Sequence, residues 1–147
     1  MCYMTLLSTN SDVDLARLST DDIIFSKTLP EIPEQALLKY QNKWYIGSSQ
    51  GCSCSFRHLM SCNYHDLGFS DPVEWFPEEP GDIEATLKLI RIIKDIVSDG
   101  SKLECIDAWR DSEEERPDLS HFIMVNLNKI SETAFRFIEN SQHEFTV

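Results

Sequence analysis

Thiols and imidazoles crowd one stretch of this chain, which reads Cys52-x-Cys54-x3-His58-x3-Cys62-x2-His65. Thiolate sulfur and imidazole nitrogen are the preferred ligands of zinc, and four of them set tetrahedrally make a structural site. If residues 55–65 are helical, His58, Cys62 and His65 share one face, and the Cys52/Cys54 pair folds over it from the preceding loop. The cysteine pair is C-x-C rather than C-x2-C, the weaker of the two metal patterns. Each cysteine is also explained singly as a small buried apolar side chain. On that account no cofactor is expected, and zinc held by Cys52, Cys54, His58, Cys62 and His65 is the alternative.

A nucleophilic thiol is a second possible chemistry. Gly47-Ser48-Ser49-Gln50-Gly51 precedes Cys52 and follows a strand-like run. Backbone N–H groups in such a loop can hold an anion and depress the pKa of Cys52 or Cys54, with Arg57 and His58 completing the reacting set. The pattern is not that of a known phosphate loop. Arg57 follows both thiols too closely for a phosphatase loop, and the glycines lack the Lys-Ser/Thr ending and the third glycine of nucleotide fingerprints. A tight turn carrying buried thiols is the simpler expectation. One more acid stands out: Asp107 shares a strand face with Leu103, Cys105 and Trp109. It is either a buried general acid with a raised pKa or an acceptor for local hydrogen bonds.

These residues must be positioned by a chain of 147 residues, a length that suits one domain spanning 1–147. The net charge of −12 argues against a nucleic-acid partner and against anionic membrane surfaces. No stretch approaches the ~20 apolar residues of a membrane span, and the N-terminus lacks the basic and apolar regions of a signal peptide. Five cysteines, an odd number, then suggest reduced thiols in a cytoplasmic protein rather than a disulfide framework.

Periodicity predicts strands at 2–8, 22–27, 43–48, 102–109 and 120–127, the last central and apolar on both faces. Residues 82–98 form the clearest helix, with Asp82 as N-cap, Gly100 just past its end, and a stripe of Ile83, Leu87, Ile90 and Val97 widened by Ile93 and Ile96. Short helices are expected at 34–40, after Pro33, and at 131–140. Residues 142–147 return as an edge strand with His143 exposed, and 111–118 form a solvated acidic loop. The loop 68–81 carries three prolines with Phe69, Trp75 and Phe76, a long irregular segment of the kind that often binds.

The runs CYMTLLST, WYIGSSQGCSCSFRHL, LGFSDPVEWFPEE and DIEATL resemble a family of small bacterial proteins of uncharacterised function. The resemblance implies a single bacterial cytosolic domain and brings no activity, ligand or catalytic residue with it. The expected architecture is α+β: a mixed, mainly antiparallel sheet of about five strands covered on one face by one long and one or two short helices. Tyr3, Leu6, Trp44, Ile106, Ile123 and Val125 are expected to meet Leu87, Ile90 and Phe135 in the core. The leading functional expectation is a non-catalytic module that binds another protein through Phe69, Trp75 and Phe76. Zinc at the Cys/His stretch and a Cys52- or Cys54-dependent enzyme are the alternatives.

Overall fold

The five expected strands form, and a sixth joins them inside the sheet rather than at its rim. The computed structural model describes residues 2–110 and 116–147, so most of the predicted acidic loop 111–118 lies outside the described residues. In chain order the elements are β1 (Cys2–Thr9), β2 (Ile23–Ser26), β3 (Asn42–Ser48), β4 (His58–Leu59), α1 (Pro80–Ser98), β5 (Leu103–Arg110), β6 (His121–Asn126), β7 (Phe137–Ile138) and β8 (Ser141–Thr146). The main sheet runs β2-β3-β1-β5-β8-β6, antiparallel except for the β6–β8 pair. β4 and β7 form a separate parallel pair. The α+β architecture is as expected.

Strand alternation sorts the core into two layers. Leu7, Trp44, Cys105, Val125 and Phe145 face α1, whose buried stripe is Ala85, Leu89, Ile90, Ile93, Ile96 and Val97. The expected stripe is off by part of a turn: Leu89 is fully buried, whereas Ile83 and Leu87 are half-exposed. The helix starts at Pro80, with Glu79 rather than Asp82 as N-cap and no capping side chain. Proline suits this first position because its missing N–H has no helical acceptor. At the other end Gly100 takes φ +92°, the left-handed conformation expected of it.

Leu6 and Ile106 point away from the helix, contrary to expectation. They form a second layer with Ala108, Ile32 and Leu38. The cover on this side is the 28–41 segment, whose predicted helix is a short 3-10 turn, Pro33–Leu37. Its anchor is polar: fully buried Glu104 accepts from Ser8 Oγ at 2.9 Å, the Lys39 backbone N–H at 2.5 Å and Gln142 Nε2 at 2.6 Å.

The C-terminal third departs furthest from the sequence expectations. No helix forms over 131–140, because Ala134 to Ile138 are buried one after another, a demand that an amphipathic helix cannot meet. The chain there runs extended, and β7 donates to β4 through Phe137 N→Arg57 O (3.0 Å) and Glu139 N→Leu59 O (2.8 Å). β8 is central and β6 is the edge strand, the reverse of the prediction. β8 reads as polar (SQHEFT), yet its polar groups find partners inside the protein. His143 is fully buried: its Nε2 accepts from the Ile138 N–H (3.0 Å), leaving Nδ1–H to donate to the Cys105 carbonyl (3.3 Å).

That pattern demands a neutral ring, and burial lowers the His143 pKa to about 4. The unfolded chain therefore binds a proton that the folded chain refuses between pH 6.5 and about 4. Stability should fall as pH drops through this window, by on the order of 3 kcal/mol from this one group. His143→Gln, which retains an acceptor for Ile138, should flatten that part of the stability–pH curve in urea unfolding. An unchanged slope would mean that the ring is not held neutral.

Candidate functional site

The region around the thiols is built by a tight turn. β3 ends at Ser48, and Gly51, with φ +88°, lets the chain reverse so that Ser48 and Cys52 exchange contacts (Ser48 N→Cys52 O, 2.7 Å). A Cβ on Gly47 would stand 2.9 Å from the Gly51 carbonyl oxygen, so this close approach requires glycine. The two glycines thus serve the turn. The returning segment then docks on the first strand. Ser53 N donates to Tyr3 O (3.1 Å), while Ser53 Oγ accepts from Thr5 N (2.9 Å) and donates to Ile46 O (2.5 Å).

Docking of Ser53 brings the thiols on either side of it to the start of β1. The sulfurs of Cys2, Cys52 and Cys54 all lie within 4.8 Å of one another, each half-buried and none in a disulfide. Burial pushes the Cys52 thiol up, but hydrogen bonds from the Cys54 thiol and backbone and from Cys2 outweigh it, and its pKa falls below the ordinary value. Cys54, buried and donating to Cys52, is pushed up to about 12. Cys2 was not among the sequence candidates. Nothing local marks it, since the pairing of β1 with β3 and the docking of Ser53 on Tyr3 and Thr5 bring it to this turn.

His58 goes elsewhere. The helix over 55–65 that would put His58, Cys62 and His65 on one face does not form; His58 lies on β4 and a 3-10 turn covers Ser61–Asn63. The His58 ring stacks on Tyr3, with centroids 3.8 Å apart and planes 2° from parallel. Its Nδ1 is 2.7 Å from Asp107 Oδ2 and its Nε2 is 2.6 Å from the Ser53 carbonyl oxygen, which can only accept. Asp107 is fully buried and takes Thr5 Oγ1 on its other oxygen at 2.9 Å. Both imidazole nitrogens are therefore engaged within the protein, leaving none to ligate a metal or to deprotonate Cys54. Asp107 is thus engaged by internal hydrogen bonds, but with side chains distant in sequence rather than the local partners expected near the strand end. Cys62 and His65 are exposed on the following turn and take no part in the sulfur cluster.

Arg57 is likewise withdrawn from solvent. It forms a two-pronged pair with Glu78 (Nε–Oε2 2.7 Å, Nη2–Oε1 2.8 Å) and donates to the carbonyls of Ser70, Thr133 and Phe135. Glu78 also takes Arg136 Nη2 at 2.9 Å, and Arg136 Nη1 donates to Gly68 O (3.1 Å) and Ser70 O (2.8 Å). Two guanidiniums and one carboxylate thus fasten both ends of the 68–81 loop to the body of the protein. Burial pushes the Glu78 carboxyl up, but the two guanidiniums more than offset it and hold it below its ordinary pKa.

Within that loop the three expected aromatic anchors part company. Phe69 stacks on Phe135 at 5.4 Å and Phe76 lies under the Arg136 guanidinium at 5.8 Å, both half-buried. Only Trp75 faces solvent, at 69% exposure. Beneath the loop is a cavity of about 430 Å³ walled by Tyr3, Cys54, His58, Phe76, Glu79 and Asp82. Burial, and then the charge of Glu79, pushes the Asp82 carboxyl up. Sequence reasoning missed Arg136 and Glu78, for which a buried role has no local signal. Among the described residues no helix is long and apolar enough to cross a membrane. No protein-family model matches the chain, and no curated protein and no solved structure is significantly similar to it.

Proposed function

We propose that this protein is a non-catalytic interaction module of the bacterial cytosol, its thiols reduced, that docks another protein on Trp75. The observation that carries this reading is the contrast within one loop: Trp75 is 69% exposed while the loop's ends are bound through Arg57, Glu78 and Arg136. A rigid root removes much of the ordering cost that a flexible loop would incur on binding. Tryptophan is among the residues most often found at the energetic centre of interfaces. Asp71, Glu74 and Glu79 are exposed in the same loop on a chain of net charge −12, which favours a partner with a basic rim.

The test compares two variants in bacterial cytosolic extract. Trp75→Ala should retain the native melting temperature, because an exposed side chain away from packing changes stability within about 0.5 kcal/mol. It should lose a partner that the unmodified protein and an Ile24→Ala control both retain. With that partner purified, calorimetry should show binding weakened by at least about 2 kcal/mol for Trp75→Ala. A partner that binds Trp75→Ala as tightly as the unmodified protein would rule the surface out, as would a marked stability loss, which would make Trp75 a structural residue.

A further inference from the structure

We infer that Cys2, Cys52 and Cys54 form a three-thiolate binding site for a thiophilic closed-shell metal ion, independent of the Trp75 surface. Their sulfurs already lie within 4.8 Å of one another, contributed by the first strand and by the turn that docks on it. Metal–sulfur bonds of about 2.3 Å place the sulfurs of a trigonal or tetrahedral site about 4 Å apart, so closure needs only small side-chain rotations. The backbone under the site is fixed. The Ser53 amide and hydroxyl tie the turn to Tyr3, Thr5 and Ile46, which holds the flanking Cys52 and Cys54 against Cys2.

The donor set selects the ion. All three donors are soft, and among the described residues no histidine or carboxylate joins the group. Thiolates favour copper(I) and zinc(II) over hard cations. Copper(I) is satisfied by three sulfurs, whereas zinc(II) would need a water or another outside ligand in a fourth position. Copper(I) is therefore expected to bind the more tightly of the two. Binding replaces thiol protons by the metal and releases them to solvent, with no change of oxidation state. Cys54 also walls the 430 Å³ cavity, which gives an ion a route to the edge of the site.

The experiment uses the reduced 147-residue chain under anaerobic conditions. It is titrated with cadmium(II), as a spectroscopic substitute for zinc(II), and with copper(I) against a competing chelator. One equivalent of cadmium should produce a sulfur-to-metal charge-transfer band, and that equivalent should shield Cys2, Cys52 and Cys54 from alkylation while Cys62 is still modified. Cys2→Ser should reduce the band to about two thirds and weaken copper(I) binding at least about tenfold, because one of three soft donors is lost. Cys62→Ser should change neither. Alkylation mapping on the unmodified protein keeps the test decisive even if a cysteine variant folds poorly. A band that persists undiminished in Cys2→Ser, protection of Cys62 in place of Cys2, or no binding at one equivalent would each overturn the site. So would a Cys52–Cys54 disulfide in protein purified without oxidant.

Discussion

Replacing Glu78 with alanine should cost about 3–5 kcal/mol, because two buried guanidiniums would lose the carboxylate they share. Arg57 and Arg136 have at most 1% of their side-chain surface exposed, so water cannot replace the lost partner. Carbonyls of Gly68, Ser70, Thr133 and Phe135 would remain as acceptors, but they carry no compensating charge. The loss should appear in urea unfolding, together with proteolysis within 68–81 as the loop comes free. The pH dependence follows from the same contacts. The Glu78 pKa is lowered on folding, so its contribution is present above the ordinary carboxylate range and is lost as pH falls through that range and below it. The unmodified protein should lose more stability than Glu78→Ala on acidification. A variant within 1 kcal/mol of the unmodified protein would mean that the network does not hold the loop.

Ile90→Asp should abolish folding, with a loss beyond about 4 kcal/mol. Ile90 is 3% exposed in the middle of the face that α1 turns to the sheet, among Leu89, Ile93 and Phe135 in one cluster. A carboxylate there has no cation to pair with in that cluster and would be buried at high cost. The expected result is insoluble protein or a circular dichroism spectrum without a cooperative melt. A soluble variant with unchanged spectrum and melting temperature would show that the buried face of α1 has been misassigned.

The two variants differ in how far the sequence alone could foresee them. Ile90 was legible because its periodicity is local: apolar residues every three or four positions define a face whatever the helix packs against. The same kind of signal located the five strands and the α+β class, while the small residues of 47–51 marked the turn. Its precision ended at the rotation of the stripe, where Leu89 rather than Leu87 sits at the centre. A run with apolar residues on most sides does not reveal which of them meets the sheet.

Glu78, Arg136 and His143 could not be foreseen in the same way. Charged and polar residues are ordinarily exposed, and each is buried here with a partner distant in sequence, Glu78 with Arg136 and His143 with the Cys105 carbonyl. The same holds for strand order. β8 looked like an exposed edge because its side chains are polar, but β5 and β6 enclose it and supply its hydrogen bonds. In the thiol region the sequence singled out the right turn and grouped the wrong residues. Proximity along the chain suggested His58, Cys62 and His65 as companions of Cys52 and Cys54. The β1–β3 pairing and the docking of Ser53 on β1 instead bring Cys2 to them, and His58 is turned toward Asp107. Local periodicity determines which segments become strand or helix, whereas which thiols meet depends on long-range pairing that only the tertiary structure decides.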